Sequence, residues 1–299
     1  LSFIKPHWPY IAPAPYHDMY GAETFKDVIR SEDERRDPNP VYGAFMGMKV
    51  SESFSTQGVR ETVLPAYMGL IKQIDDHLGK LFAYLEESGK ADDTMIVFTS
   101  DHGDYLGDHW MGEKELFHEV SVRVPLIVYD PRPEADATRG TACAELVEAI
   151  DLVPTFLEAT GAPDASHRLE GRSLCGLLRG ETPDDWRTAA FSEIDYSFYA
   201  ARQTLGVGVA DARGYMLRSE RWKYIYFTGF PPQLFDLEND PDEYTDLGRS
   251  AAHADVCDTM KDMLLERLLK RRNRVTITDQ GVVEVRSGEG KGGILIGNW

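Results

Sequence analysis

A carboxylate, an imidazole and a glycine stand side by side at Asp101-His102-Gly103, directly after the apolar, β-branched run Thr94-Met95-Ile96-Val97-Phe98-Thr99. In open α/β sheets, ligands gather outside the carboxyl ends of the strands, and Gly103 permits a sharp backbone departure there. An acidic oxygen and an imidazole nitrogen offered together at such a point suit Mn²⁺, Mg²⁺, Ca²⁺ or Zn²⁺. Lys114, twelve residues beyond His102, can fold back as a point cation onto an anionic substrate oxygen. His7, in the Pro-bracketed stretch Lys5-Pro6-His7-Trp8-Pro9, offers a third polar group. The tripeptide alone is weak evidence, because an Asp at a strand end often only caps the next turn. The strand before it and the 23-residue, His- and acid-rich loop Ser100–Val122 strengthen the reading.

These residues need elements to aim them. Leu1-Ser2-Phe3-Ile4 reads as a strand already under way, so the chain is expected to begin inside a fold. From Gln57 to Ser88 the spacing of Tyr67, Ile71, Ile74, Leu78, Leu81 and Leu85 predicts a helix with one apolar face, closed by Gly89. Residues 94–99 and Val124–Tyr129 are continuous apolar runs, expected as strands buried on both faces. A further helix is expected over Ala144–Thr160, ending at Gly161. This order predicts an α/β domain over residues 1–190, a mixed sheet flanked by helices. Over 191–299 a smaller α+β subdomain is expected. It has a strand within Gly214–Phe227, where Trp222, Tyr224 and Tyr226 alternate with Lys223, Ile225 and Phe227. A hairpin partner follows at Gln233–Leu237, then a charged helix over Ala252–Lys270.

The net charge of -18 argues against nucleic acid as a partner, since a phosphate backbone needs excess cations. No apolar run reaches the roughly 20 residues of a membrane span. An anionic substrate would have to be met by local positive charge, a metal ion or a placed Lys or Arg. The cluster Arg267, Lys270, Arg271, Arg272 and Arg274 reads as cationic decoration of a helix C-terminus. Cys143, Cys175 and Cys257 are widely spaced and odd in number, which suits neither zinc nor disulfides and leans towards a reducing, cytoplasmic location. The apolar ending Ile294-Leu295-Ile296 with Trp299 predicts a contact between subunits of a homo-oligomer, or docking on its own subunit.

The run Thr99-Ser100-Asp101-His102-Gly103, continued through Leu106-Gly107-Asp108 to Lys114 and Arg123-Val124-Pro125-Leu126-Ile127, resembles the second metal-binding signature of the sulfatases, within the alkaline-phosphatase superfamily. Other pieces follow in the family's order. Lys5-Pro6-His7-Trp8-Pro9 is similar to its histidine loop, and Ile150-Asp151-Leu152-Val153-Pro154-Thr155 to its next helix. Leu234-Phe235-Asp236-Leu237 with Asp240-Pro241-Asp242-Glu243 is similar to the hairpin and turn of its C-terminal subdomain. The opening around His7 and the Gly-Ile-Leu-Ile-Gly-Asn-Trp ending look most like the phosphonate monoester hydrolase branch. The resemblance implies an alkaline-phosphatase-like fold and two-step hydrolysis of sulfate or phosphonate/phosphate monoesters with one divalent metal, Mn²⁺ or Ca²⁺ ahead of Mg²⁺ or Zn²⁺. It implies Asp101 and His102 as two metal ligands, Lys114 as a contact to the sulfuryl or phosphoryl oxygens, and His7 near the leaving-group oxygen as donor or general acid. His109 stands near the site or is structural, His118 is structural, and Glu119 with Arg123 reads as a structural ion pair.

One departure matters. Family members attack with a Cys, oxidised to formylglycine, or a Ser in Cys/Ser-x-Pro-x-Arg, and none of the three cysteines has that context. The family's Asp pair near the start of the protein is also missing, so formylglycine and further ligands are expected upstream of Leu1. The 299-residue chain by itself is therefore expected to bind metal weakly and turn nothing over. The alternative is a pseudoenzyme or binding partner that retains the fold; a phosphodiesterase or mutase would need a second metal set that is not found.

Overall fold

The computed structural model describes residues 1–21 and 27–288. The residues of the apolar ending, 294–299, lie outside this range, and so does the expected subunit contact. The opening Leu1–Ile4 is irregular rather than a strand; among the described residues no strand pairs with it.

Three short helices, α1 (Glu32–Arg36), α2 (Pro40–Met46) and α3 (Lys49–Ser55), precede the long α4 (Val59–Glu87). The Asn39 side chain caps α2 by accepting from the Val41 amide, and Pro40 occupies the first turn, where its missing N–H costs nothing. Helix α4 buries Leu64, Gly69 and Leu70, while Ile71 of the expected stripe is exposed. Gly69 is required there: a Cβ would lie 2.2 Å from the Tyr16 carbonyl oxygen. Gly89 closes the helix at φ +67°.

Strand β1 (Ile96–Thr99) pairs antiparallel with β2 (Leu126–Tyr129), Thr99 opposite Leu126. The expectation of burial on both faces is corrected: Ile127 is 64% exposed, and Phe98 and Tyr129 are also exposed. Ile96, Val97, Leu126 and Val128 are half-buried, and among the described residues each strand has a single hydrogen-bonded neighbour. The intervening segment ends in a short helix, α5 (Glu119–Val122). Helix α6 spans only Leu152–Ala159 after a 3₁₀ turn at Ala149–Asp151. The expected start at Ala144 is corrected, because Glu148 and Asp151 form a reciprocal cap that defines the N-terminus.

After α7 (Cys175–Leu178) comes a four-stranded antiparallel sheet in sequence order: β3 (Ala189–Asp195), β4 (Arg213–Ser219), β5 (Trp222–Phe227) and β6 (Gln233–Asp236). The expected strand within 214–227 is two strands joined at Glu220-Arg221, and β3 was not anticipated. Helix α8 (Ala200–Leu205) connects β3 to β4; α9 (Ala254–Leu269) and α10 (Asp279–Gly288) follow. One sheet face packs Leu217, Tyr224 and Leu234 against Met260 and Leu264 of α9. The other face packs Met216, Ile225 and Phe227 into a core with Val41, Tyr42 and Phe45 of α2. Tyr105, Met111, Leu116 and Phe117, from the segment that carries Lys114, join that second core.

Candidate active site

Beyond Thr99 the chain turns at Ser100–Gly103. Gly103 donates its N–H to the Ser121 carbonyl at 2.7 Å, and a Cβ there would lie 1.9 Å from the Val120 carbonyl oxygen. The close approach excludes every side chain, which is why glycine follows the Asp-His pair. Asp101 Oδ1 accepts from the His102 amide at 3.1 Å. The His102 ring donates Nδ1–H to the Gly103 carbonyl at 2.7 Å, which leaves the Nε2 lone pair free. That nitrogen lies 3.6 Å from Asp101 Oδ2, and the carboxylate is 87% exposed.

The segment after Gly103 is folded as core rather than as a free loop. Leu106, His109, Trp110 and Glu113 are non-glycine residues at positive φ, between 46° and 61°. Such a concentration of left-handed backbone is costly and persists only where the surroundings over-determine it. Here Tyr105 N–H bonds the Glu113 carbonyl at 2.7 Å and His109 N–H bonds the Ile29 carbonyl at 2.7 Å. The Trp110 ring lies between the guanidinium groups of Arg30 and Arg35, 4.2 and 4.5 Å from its centroid.

This fold presents Lys114 with its Nζ 2.8 Å from Nε2 of His7. His7 Nδ1 donates to the Trp8 carbonyl at 3.1 Å, so Nε2 accepts from the ammonium group. Lys5 donates to the carbonyls of His7 and Pro9 and cinches the Pro-bracketed turn. The His7 and His102 rings stand edge to face, 5.9 Å apart. All four residues singled out in the sequence thus meet in one place. Asp101, His102 and Lys114 line an open cavity of about 1520 Å³. Behind them Tyr10 donates to Asp104 at 3.0 Å. Burial pushes the Asp104 carboxyl up, against the hydrogen bond from Tyr10.

The Asp101–His102 pair fits a divalent cation in its donor chemistry. The Asp101 Oδ2 and the His102 Nε2 face each other at 3.6 Å, and the opposite ring nitrogen is held by a backbone carbonyl, as metal-ligating histidines usually are. Among the described residues no three His, Cys, Asp or Glu side chains converge as a metal group. The pair would therefore supply only part of a coordination shell.

His109 and His118 stand away from this chemistry. Their rings stack at 3.7 Å, His109 binds Glu34 at 2.6 Å, and both are buried. Burial, reinforced by the neighbouring His109, holds the His118 imidazole well below its ordinary range. The expected Glu119–Arg123 ion pair is present at 4.0 Å, with Arg123 mostly exposed. The fully buried Lys223 of β5, which was not anticipated, lies closer, 2.8 Å from Glu119 and 2.7 Å from Glu243. The signal was present: strand alternation places Lys223 on the same face as Ile225 and Phe227, where a lysine needs a carboxylate partner. Tyr10, Asp104 and Ser121 carried no such signal.

The sheets and helices form a mixed α/β fold of the alkaline-phosphatase type, flanked by helices and carrying a smaller C-terminal sheet subdomain. Residues 1–162 match the sulfatase family model, and residues 107–270 match the model of the N-sulphoglucosamine sulphohydrolase C-terminal region. The chain belongs to the sulfatase family. It is 37% identical over 269 residues to the multifunctional alkaline phosphatase superfamily protein PehA of Trinickia caryophylli, covering 85% of this chain and 52% of that protein. An arylsulfatase of Clostridium perfringens is 29% identical over 279 residues, with 92% and 54% covered. The phosphonate monoester hydrolase of Silicibacter pomeroyi superposes with a TM-score of 0.83 at 32% identity, covering 94% of this chain and 58% of that one. The chain thus spans about half the length of the curated relatives it matches. No helix among the described residues is long and apolar enough to cross a membrane.

Proposed function

We propose that this chain carries part of the active site of a sulfatase-type hydrolase acting on sulfate or phosphonate/phosphate monoesters. The observation that supports it is the meeting of Lys114 and His7, 2.8 Å apart, beside the Asp101–His102 pair. Asp101 and His102 would hold one divalent ion, Mn²⁺ or Ca²⁺ in the first instance, which would polarise a sulfuryl or phosphoryl oxygen. Lys114 neutralises negative charge that grows on the non-bridging oxygens. His7, whose Nε2 accepts from that ammonium, would pass a proton from Lys114 to the leaving-group oxygen. Two-step displacement also needs a nucleophile, formylglycine or serine. No cysteine or serine of the 299 residues stands in the Cys/Ser-x-Pro-x-Arg context.

A second reading is favoured by the absence of a three-donor metal group among the described residues. On that reading the chain on its own keeps the fold and binds anion and metal without turnover. Mn²⁺ titration followed by electron paramagnetic resonance, with p-nitrophenyl sulfate and p-nitrophenyl phenylphosphonate as substrates, tests both readings. Weak Mn²⁺ binding is expected, reduced at least about tenfold by Asp101→Ala or His102→Ala, with no ester cleavage by the chain alone. Unchanged binding in both variants would rule out the site. Cleavage by the chain alone, abolished by Lys114→Met, would rule out the second reading.

A further inference from the structure

We infer that Ser121 is a positioning residue that fixes the spacing between the Asp101–His102 pair and the Lys114–His7 pair. The inference rests on the reading of those four residues as one site. The two pairs arrive on separate arms of the chain, one at the end of β1 and one after the strained segment 104–113. Ser121 touches both arms. Its carbonyl accepts the Gly103 N–H at 2.7 Å, directly beside His102. Its hydroxyl donates to the backbone carbonyl of Lys114 in a short hydrogen bond. The residue is buried, so water does not compete for either bond. The Cβ-free approach of Gly103 to Val120 locks the first arm against the same short helix.

That helix is held from behind. Lys223 donates to the Phe117 carbonyl at 2.8 Å and pairs with Glu119, while the Glu119 amide donates to Glu243 at 2.6 Å. The C-terminal sheet thus grips residues 117–119, α5 begins there, and Ser121 carries the grip to both arms. Removing the hydroxyl alone should free the Lys114 arm and leave the Asp101–His102 arm bound, because the bond to Gly103 uses the backbone.

The test uses the full chain with ¹⁵N-labelled histidine. The His7 Nε2 resonance reports its contact with Lys114, and Lys114→Met supplies the shift for loss of that contact. In Ser121→Ala the His7 signal should move towards the Lys114→Met position. Mn²⁺-induced broadening at His102 should keep its concentration dependence within about twofold. Ser121→Thr keeps the hydroxyl and should leave His7 at its wild-type position. A His7 signal unmoved in Ser121→Ala, or moved equally by the Ala and Thr variants, would overturn the positioning role. Failure of Mn²⁺ to broaden His102 in the wild type would count against the metal reading alone. The His7 comparison would still decide the role of Ser121.

Discussion

The two sheets of the molecule are supported unequally. All four residues of β6 are buried, and the sheet it belongs to is packed on both faces, by α9 on one side and by α2 with the Lys114 segment on the other. The β1–β2 ribbon contributes nothing to either of these cores and leaves Phe98, Ile127 and Tyr129 exposed. An isolated two-stranded ribbon is marginal in water. Yet this ribbon aims Asp101 and His102, whereas Lys114 grows out of the closed core. The site therefore joins a weakly supported arm to a strongly supported one. The Ser121–Gly103 bond passes the rigidity of α5, held by the C-terminal sheet, to the first arm, as the Ser121 hydroxyl does to Lys114.

The sharpest way to break this comparison is to cut the sheet's grip on α5. Lys223→Met leaves Glu119 and Glu243 facing each other in a dry environment, and losing one partner of a buried ion pair costs about 3–5 kcal/mol. Urea unfolding should register that loss, and a change below about 1 kcal/mol would mean that the buried triad does not brace the fold. Next in size is a matched pair of truncations. Leu234→Ala in β6, at 0% exposure, should cost about 2–5 kcal/mol through lost burial and a cavity. Ile127→Ala in β2 should change stability by less than about 0.5 kcal/mol. Equal effects at the two positions would mean that the ribbon is as well packed as the C-terminal sheet.

Much of this arrangement was legible before any coordinates. The β-branched run 96–99 ending in Asp-His-Gly placed Asp101 and His102 at a strand terminus, since an apolar run of that length leaves few other conformations. The spacing through α4 marked a helix although its stripe belongs to neither core, and the alternation in β5 marked a strand with a core on each face. The segment 103–118 was not legible. Apart from one 3₁₀ turn it is neither helix nor strand, so Tyr105, Met111, Leu116 and Phe117 follow no period although all are buried, and four of its five left-handed residues are not glycines. Lys223 and Phe117 are 106 positions apart, and only the tertiary fold brings them together. Ser121 looked like any serine, because its role depends on what its carbonyl and hydroxyl meet.

Acidification offers a smaller test of how dry the junction between sheet and site is. His118 lies edge to face with Phe235 of β6 and with Tyr42, and its ring is buried. Burial, then the neighbouring His109, lowers its pKa in the folded state. The unfolded chain takes up a proton near pH 6.5 that the folded chain does not. Stability from this residue is thus present above about pH 6.5 and lost as pH falls, by at most about 1.4 kcal/mol per pH unit. Between pH 7 and pH 5 the loss should approach about 2 kcal/mol, and His118→Gln should remove it. An unaltered slope in that variant would mean that water reaches the ring in the native protein.

The smallest effect sits at the rim of the same sheet, where charge rather than burial does the bracing. Arg221 forks onto Asp236 at 3.0 and 2.7 Å, and Asn239 adds a third bond at 2.8 Å. Arg221 is the main cause that lowers the Asp236 carboxyl from 3.8 to about 2. A depressed carboxyl stabilises the fold above its unfolded pKa, and that contribution disappears as pH falls from about 4 to 2. The Arg221 side chain is 46% exposed, so solvent screening reduces the effect to about 1 kcal/mol. Asp236→Asn should therefore cost about that much at pH 6 and should flatten the difference from wild type by pH 2, read from urea midpoints at the two pH values. A cost that stays equal at both would assign the bracing of this hairpin to packing alone. The β5–β6 end of the sheet would then owe its rigidity entirely to the core that the β1–β2 ribbon lacks.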